Sequence, residues 1–335
     1  MIKNAIPLKI AGIGYSVPET VITNNDLTKL YETSDEWIYT RTGIKERRLV
    51  SGNESAIDLG EKAARNAIEK AGINANDLDM IIAASSTPVE MYSMGCQLQK
   101  RLEIERNIPA FDISAACSGL IYGLSVARGL IASGMYKNIL VVATDNNSRH
   151  LDWSDRGTSI LFGDGAGAIV VTPSDDGIDD IIALDIQADG KQGNLIELHF
   201  DGETCPLVEP NEKHEPKIKM NGKGVYTFVV KLLPKYVEEL ITNAGLKTED
   251  IDYMVPHQAN IRIIKAVQER IGISDEKVIT NLEYYGNTSA ASIPIALAEG
   301  VKNGQMKLNS QVLLCGFGAG MTWGGAIVHL REGIC

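Results

Sequence analysis

Three stretches of this sequence recur in the same order further along the chain, and that repetition constrains the fold more than any other feature. The segment AGINANDLDMII (71–82) returns as AGLKTEDIDYMV (244–255), with Ala, Gly and two Asp in register and the apolar positions in agreement. In each copy a helix is expected to end at the glycine, and an Asp-apolar-Asp turn then leads into a buried strand. The stretch beginning at Cys117, with the Ala-rich helix after it, returns as GNTSAASIPIALAEGVKNG (286–304), and strand-like runs follow both copies, NILVVATD (138–145) and QVLLCGF (311–317). Last, GAGAIVV (165–171) returns as GGAIVHL (324–330). One short match would carry little weight. Three in one order predict two similar halves, 1–175 and 176–335.

β-Branched runs such as MIIAASST (80–87) alternate with amphipathic or Ala-rich stretches such as SGLIYGLSVARGLIASG (118–134). That alternation predicts an α/β protein with helices covering its sheets. The polar stretch 188–220, with Gly, Pro and mixed charge, reads as an inserted loop region.

Three residues stand out chemically. Cys117 lies in FDISAACSGLIYGL, where a strand gives way through small residues to a helix. A sulfur near a helix N-terminus meets free N–H groups and the positive dipole end, which favour a thiolate. His257, one of five histidines, follows the strand IDYMV in VPHQAN. Asn287, in GNTSAAS, opens its own helix and stands as the counterpart of Cys117 in the repeat. Singly, each has a bland explanation: a buried Cys is more often packing, a loop His is satisfied locally, and Asn caps helices. Together they differ. Ligands gather at strand ends of α/β sheets, and a cysteine nucleophile flanked by His and Asn suits thioester exchange.

At these residues the chain resembles the β-ketoacyl-acyl-carrier-protein synthase III family of the thiolase superfamily. The likeness runs over nearly the whole length, through TSDEWIYTRTGIKER (33–47), AACSG (115–119), DRGTSILFGDGAGA (155–168), VPHQAN (255–260), GNTSAAS (286–292) and GFGAGMTWGGA (316–326). It implies a five-layered αβαβα thiolase-like fold of two duplicated halves, assembled as a homodimer. It also implies an acyltransferase of fatty acid biosynthesis. Cys117 would take an acyl group from acyl-CoA, and malonyl-acyl carrier protein would then decarboxylate and attack the acyl-cysteine. His257 and Asn287 would donate hydrogen bonds to the enolate oxygen. Backbone N–H groups of Cys117 and of the 318–319 turn would hold the acyl-transfer oxyanion. Coenzyme A enters as part of the substrate, and the chemistry requires no metal or other cofactor.

Further roles carry over with the motifs. Trp37 and Arg156 resemble the pair that sandwiches the CoA adenine, Arg41 the phosphate-binding arginine, and Thr33 a contact at the nucleotide end. Gly222 and Asn260 would border the pantetheine arm, and Phe317 would shield the nucleophile from water. Met91 falls where a partner subunit's acyl pocket is limited in length, and a flexible methionine leaves primer length open. Arg262 and Lys265 would serve carrier-protein docking.

The sequence departs from the family in places. Ala319 stands where a glycine is usual, Thr227 where a lysine is usual, and Glu269-Arg270 where a basic pair is usual. The last two weaken the basic surface an acidic carrier needs. A ketosynthase III-like enzyme of secondary metabolism therefore stays open beside the fatty acid enzyme, and a Cys-His-Asn hydrolase and a non-catalytic scaffold are less well matched. GDGAGA (163–168) runs directly into a strand, and GFGAG lacks the downstream acid of a dinucleotide fingerprint, so both are read as close-packed turns.

Composition sets outer limits. The 335 residues are 44% hydrophobic and carry a formal charge of −11, which disfavours nucleic acid and anionic membrane as partners. No apolar run reaches the roughly 20 residues that span a bilayer, and the start reads as a strand and turn rather than a signal peptide. Five widely spaced cysteines without a C-x-x-C pair suggest neither a disulfide framework nor a zinc site, and point to a reducing cytoplasm.

Overall fold

Strands buried on both faces need no polar alternation, and the apolar runs of this chain build two such sheets. The computed structural model describes residues 6–87, 90–199, 205–209 and 215–334. The first sheet holds β1 (Leu8–Ser16), β2 (Met80–Ala84), β3 (Ala110–Ile113), β4 (Ile139–Asp145) and β5 (Gly165–Pro173), in the order β1-β5-β4-β2-β3. The second holds β6 (Ile181–Ala188), β7 (Tyr253–Pro256), β8 (Ser310–Gly318) and β9 (Thr322–Leu330), in the order β6-β9-β8-β7.

The two orders are the same order. In each sheet the first three strands run antiparallel to their neighbours and the next pairs parallel. The place of β3 beside β2 is taken, beside β7, by a single parallel bridge between Met254 and Val278. The recurring sequence stretches occupy matching positions: β4 with β8, and β5 with β9. The helix endings match too. Helices α2 (Ala56–Lys70) and α5 (Gly222–Asn243) are followed by Gly72 at φ +67° and Gly245 at φ +75°, the left-handed conformation that glycine adopts without a Cβ penalty. A short 3₁₀ turn then follows in both, Ala75–Asp77 and Thr248–Asp250.

Helices α4 (Gly119–Ala132) and α7 (Ser292–Lys302) lie between the sheets and are apolar on most sides. With both sheets they form one continuous core that includes Leu120, Ile121, Val141, Ile293, Leu297 and Leu314. On the outer face of the first sheet, α2 buries Leu59, Ala63 and Ala67 beside α3 (Met94–Arg101). On the outer face of the second, α5 and α6 (Ile261–Ile271) bury Val229, Leu233, Ile263 and Val267. The result is the five-layered thiolase-like αβαβα fold of two duplicated halves. No described helix is long and apolar enough to cross a membrane.

Candidate active site

Both central helices begin with the same irregularity. The 3₁₀ turn Ala116–Ser118 leads into α4, and Ser289–Ala291 leads into α7. The first residue of each turn is a non-glycine with positive φ, Ala116 at +46° and Ser289 at +54°, a conformation that costs free energy and marks built sites. This pairing corrects one sequence expectation. Ala116 matches Ser289, so Cys117 corresponds to Ala290, and Asn287 corresponds to Ser114. The flanking small residues had disguised the register.

Cys117 sits at the bend, half-buried, two residues before α4. Its S–H points to Ser289 Oγ at 3.5 Å. The expected thiolate is a second correction. Burial, reinforced by the Asp145 carboxylate, pushes the thiol up to about 12, so the free enzyme carries a protonated sulfur. Gly318, at the end of β8, lies against the cysteine backbone: a Cβ there would stand 2.5 Å from Cys117 N. Glycine at this position lets the strand end reach the nucleophile.

His257 follows β7 and is 2% exposed. Its backbone N–H donates to Cys315 O at 2.8 Å, and its ring packs edge-on against Phe317, with centroids 5.2 Å apart. Burial pushes the imidazole down to about 3, so the ring is neutral. Ser292 Oγ lies 2.7 Å from Nδ1 and also accepts the Gln258 N–H at 3.3 Å. The Ser292 hydroxyl can give its proton to Nδ1, and in that tautomer the ring proton sits on Nε2 and makes that atom a donor.

Asn287 is held from both sides. Its backbone N–H donates to Leu161 O at 2.8 Å, and its carbonyl accepts the Gly163 N–H at 2.9 Å. Its Oδ1 accepts the Ser289 N–H at 2.9 Å, which leaves the Nδ2 donor to face the pocket. Two neutral donors with fixed orientation thus accompany one thiol.

A single cavity of about 360 Å³ is lined by Cys117, His257 and Asn287 and also by Trp37, Arg41, Gly222, Asn260, Arg262 and Phe317. Most of its wall is apolar, including Ile160, Leu161, Phe162, Val225 and Ile263. Trp37 and Arg41 come from α1 (Asp35–Thr42), and Asn260 caps α6 by accepting the Arg262 N–H at 2.9 Å. The guanidinium carbons of Arg41 and Arg156 each lie 4.3 Å from the Trp37 ring centre. Arg156 also bonds the Glu32 carbonyl. An adenine placed between Trp37 and Arg156 therefore needs that arginine to back away by roughly one ring thickness, ~3.5 Å.

Four expected residues lie off this cavity, and one of them, Arg156, reaches only the Trp37 ring at its edge. Thr33 does not line it, and its buried Oγ1 has no hydrogen-bond partner. Lys265 is exposed on α6, and Met91 is fully exposed on this chain's surface. Pro88 and Val89, in the same stretch as Met91, lie outside the described residues, as do 200–204 and 210–214 of the polar insertion. Among the described residues no group of three or more His, Cys, Asp or Glu could hold a metal ion.

Sequence reasoning missed part of the wall. The stretch read as an inserted loop folds into two short paired strands, Ile196–Glu197 and Lys219–Met220, and Ile196, Glu197, Leu198, Ile218 and Met220 line the cavity. Only the apolar spacing inside a polar region hinted at this. Nothing in the GNTSAAS motif itself signals that Ser289 meets the thiol and Ser292 the imidazole. The close-packed reading of GDGAGA holds: a Cβ at Gly163 would meet Tyr285 O at 2.1 Å.

Residues 111–190 match the family model described as 3-oxoacyl-[acyl-carrier-protein (ACP)] synthase III, and residues 241–330 match the model of its C-terminal part. The chloroplastic β-ketoacyl-[acyl-carrier-protein] synthase III of Arabidopsis thaliana is 43% identical over 96% of this chain and 83% of its own length. The chain belongs to this family. The synthase III of Microcystis aeruginosa is 44% identical over 95% of this chain and 96% of its own. A solved structure, the 3-oxoacyl-[acyl-carrier-protein] synthase III of Aquifex aeolicus, superposes with a TM-score of 0.88 at 41% identity, covering 96% of this chain and 99% of that one. As a β-ketoacyl-acyl-carrier-protein synthase III, this chain is a condensing acyltransferase of fatty acid synthesis.

Proposed function

We propose that the enzyme joins an acyl-CoA primer to malonyl-acyl carrier protein through an acyl group carried on Cys117. The observation that supports this best is the meeting of one thiol and two oriented neutral donors in one cavity. The Cys117 sulfur attacks the thioester carbonyl, the C–S bond to CoA breaks, and the thiol proton leaves with CoA. Backbone N–H groups of Cys117 and the 318–319 turn hold the oxyanion. Malonyl thioester then loses CO₂, its C–C electron pair becomes an enolate, and His257 Nε2–H and Asn287 Nδ2–H stabilise the enolate oxygen. Attack of the enolate carbon on the acyl-cysteine releases the sulfur as thiolate, which takes up one proton.

Neutrality of His257 suits this role. A cationic ring would favour the malonyl carboxylate itself, whereas a neutral donor follows the charge that develops after CO₂ departs. Phe317, packed on His257, shields both from water. Trp37, Arg41, Arg156 and Thr33 serve the nucleotide end, and Gly222 and Asn260 border the pantetheine. Arg262 and Lys265 receive the carrier, and Met91 reaches a partner subunit's acyl pocket in a homodimer. The halves divide at 175/176. The reading puts the enzyme in the cytoplasm, where its free thiols stay reduced.

The test separates the half-reactions. Purified enzyme given acyl-CoA and malonyl-acyl carrier protein should yield 3-oxoacyl-carrier protein and CO₂. The Asn287→Ala variant should acylate normally and lose decarboxylation roughly a hundredfold. Release of free fatty acid without carrier-bound product would overturn the reading in favour of a hydrolase.

A further inference from the structure

Asp145, the last residue of β4, is completely buried. A carboxylate in that position must gather hydrogen-bond donors or lose its charge. It gathers them from two separate segments, and burial still pushes its carboxyl up. Oδ1 accepts from Ser85 Oγ at 3.1 Å, Ser86 N at 2.7 Å and Thr87 Oγ1 at 3.0 Å, all just beyond the end of β2. Oδ2 accepts the Ala290 N–H at 3.4 Å, and the Ser289 hydroxyl also bonds to this carboxylate. No cationic side chain is among these partners.

Ser289 is the hinge of the arrangement. Its hydroxyl joins Asp145 on one side and receives the Cys117 S–H on the other, while its N–H holds Asn287 Oδ1. Its positive φ is a strained conformation that its surroundings must maintain. The carboxylate is the group in place to maintain it, because it grips both the hydroxyl of Ser289 and the amide of Ala290.

We propose that Asp145 is a positioning residue of the condensing site, acting through Ser289 to set the Cys117 thiol and the Asn287 carboxamide together. Burial keeps the sulfur protonated in the free enzyme, and the Asp145 carboxylate, when ionised, adds to that effect. A chain of bonds runs from the thiol to the Ser289 oxygen and from the Ser289 hydroxyl to Asp145, so the thiol has one acceptor and a carboxyl group behind it. An anionic sulfur would be repelled by the carboxylate and welcomed by the hydroxyl. Asp145 and Ser289 therefore act on the sulfur with opposite sign. The other titratable groups nearby are His257 at the cavity and, facing Asp145, His150 and Asp164.

The inference rests on Cys117 as the reactive thiol, and the test keeps the two apart. The rate of Cys117 alkylation by iodoacetamide is followed against pH, with the adduct located by peptide mass spectrometry, for the unaltered enzyme, Asp145→Asn and Ser289→Ala. Asp145→Asn should alkylate roughly tenfold faster at the alkaline end of the profile, where the Asp145 carboxyl is ionised and its removal lets the thiol titrate lower, and Ser289→Ala should alkylate severalfold slower. Both should decarboxylate malonyl-carrier protein more slowly at unchanged acyl-CoA KM. A merely structural role would loosen the site and move both alkylation rates the same way, and that result, or two unchanged profiles, overturns the proposal. If Asp145→Asn does not fold, Ser289→Ala decides alone: slower alkylation supports it, and unchanged or faster alkylation overturns it. An unaltered enzyme that reacts at a residue other than Cys117 would instead overturn the assignment of the nucleophile.

Discussion

His257 shows what burial does to a single residue. In water an imidazole titrates near 6.5, but here burial pushes it down to about 3. Between those values the unfolded chain binds a proton that the folded protein refuses, so stability rises with pH across the window and falls as pH drops through it. The slope is up to roughly 1.4 kcal/mol per pH unit for one such group. Urea midpoints should therefore be lower at pH 5 than at pH 7, and His257→Asn should flatten much of that difference; an unchanged slope in the variant would show that other groups dominate. The residue itself was legible in the sequence as a histidine at a strand end. Its charge state was not, because it follows from burial by segments distant in the chain, among them Phe317, against which the ring packs.

At the scale of elements, the two central helices explain both the success and the slip of reading by repetition. Their strands and glycine stops repeat faithfully enough to predict a doubled sheet. The bends before α4 and α7 repeat in backbone, through Ala116 and Ser289, while the chemistry diverges: one turn carries the thiol, and the other carries the hydroxyl that receives it. Small residues on every side made the register ambiguous by three positions. The site also depends on how closely β8 approaches the first of these turns. Gly318→Ala would place a Cβ 2.5 Å from Cys117 N, a clash that typically costs roughly 1–3 kcal/mol. Acylation should fall on the order of a hundredfold from displacement of the nucleophile, with a modest loss in Tm. Normal acylation in a folded variant would show that the strand end does not set the cysteine.

Over the whole molecule, charge and partner must be reconciled. A chain with a formal charge of −11 repels an acidic carrier at long range, so docking falls to local basic groups on a surface that is otherwise unfavourable. Arg262 and Lys265 are exposed on α6, and Arg262 also lines the cavity. Lys265→Glu should raise KM for malonyl-carrier protein on the order of tenfold and leave acyl-CoA KM unchanged; equal changes in both would place the carrier elsewhere. This surface was only partly legible, since a docking patch is a sum over residues scattered in sequence, whereas the two similar halves follow from repetition and the helix-covered sheets from alternating β-branched and amphipathic runs. The central claim is narrower than either: one cysteine of five carries the acyl group. Incubating the enzyme with acyl-CoAs of increasing length, without malonyl substrate, and mapping the acyl mass by peptide spectrometry tests it directly. The expected result is one acyl group on the peptide containing Cys117, lost in Cys117→Ala; no adduct with any chain length, or an adduct on another residue, would contradict it.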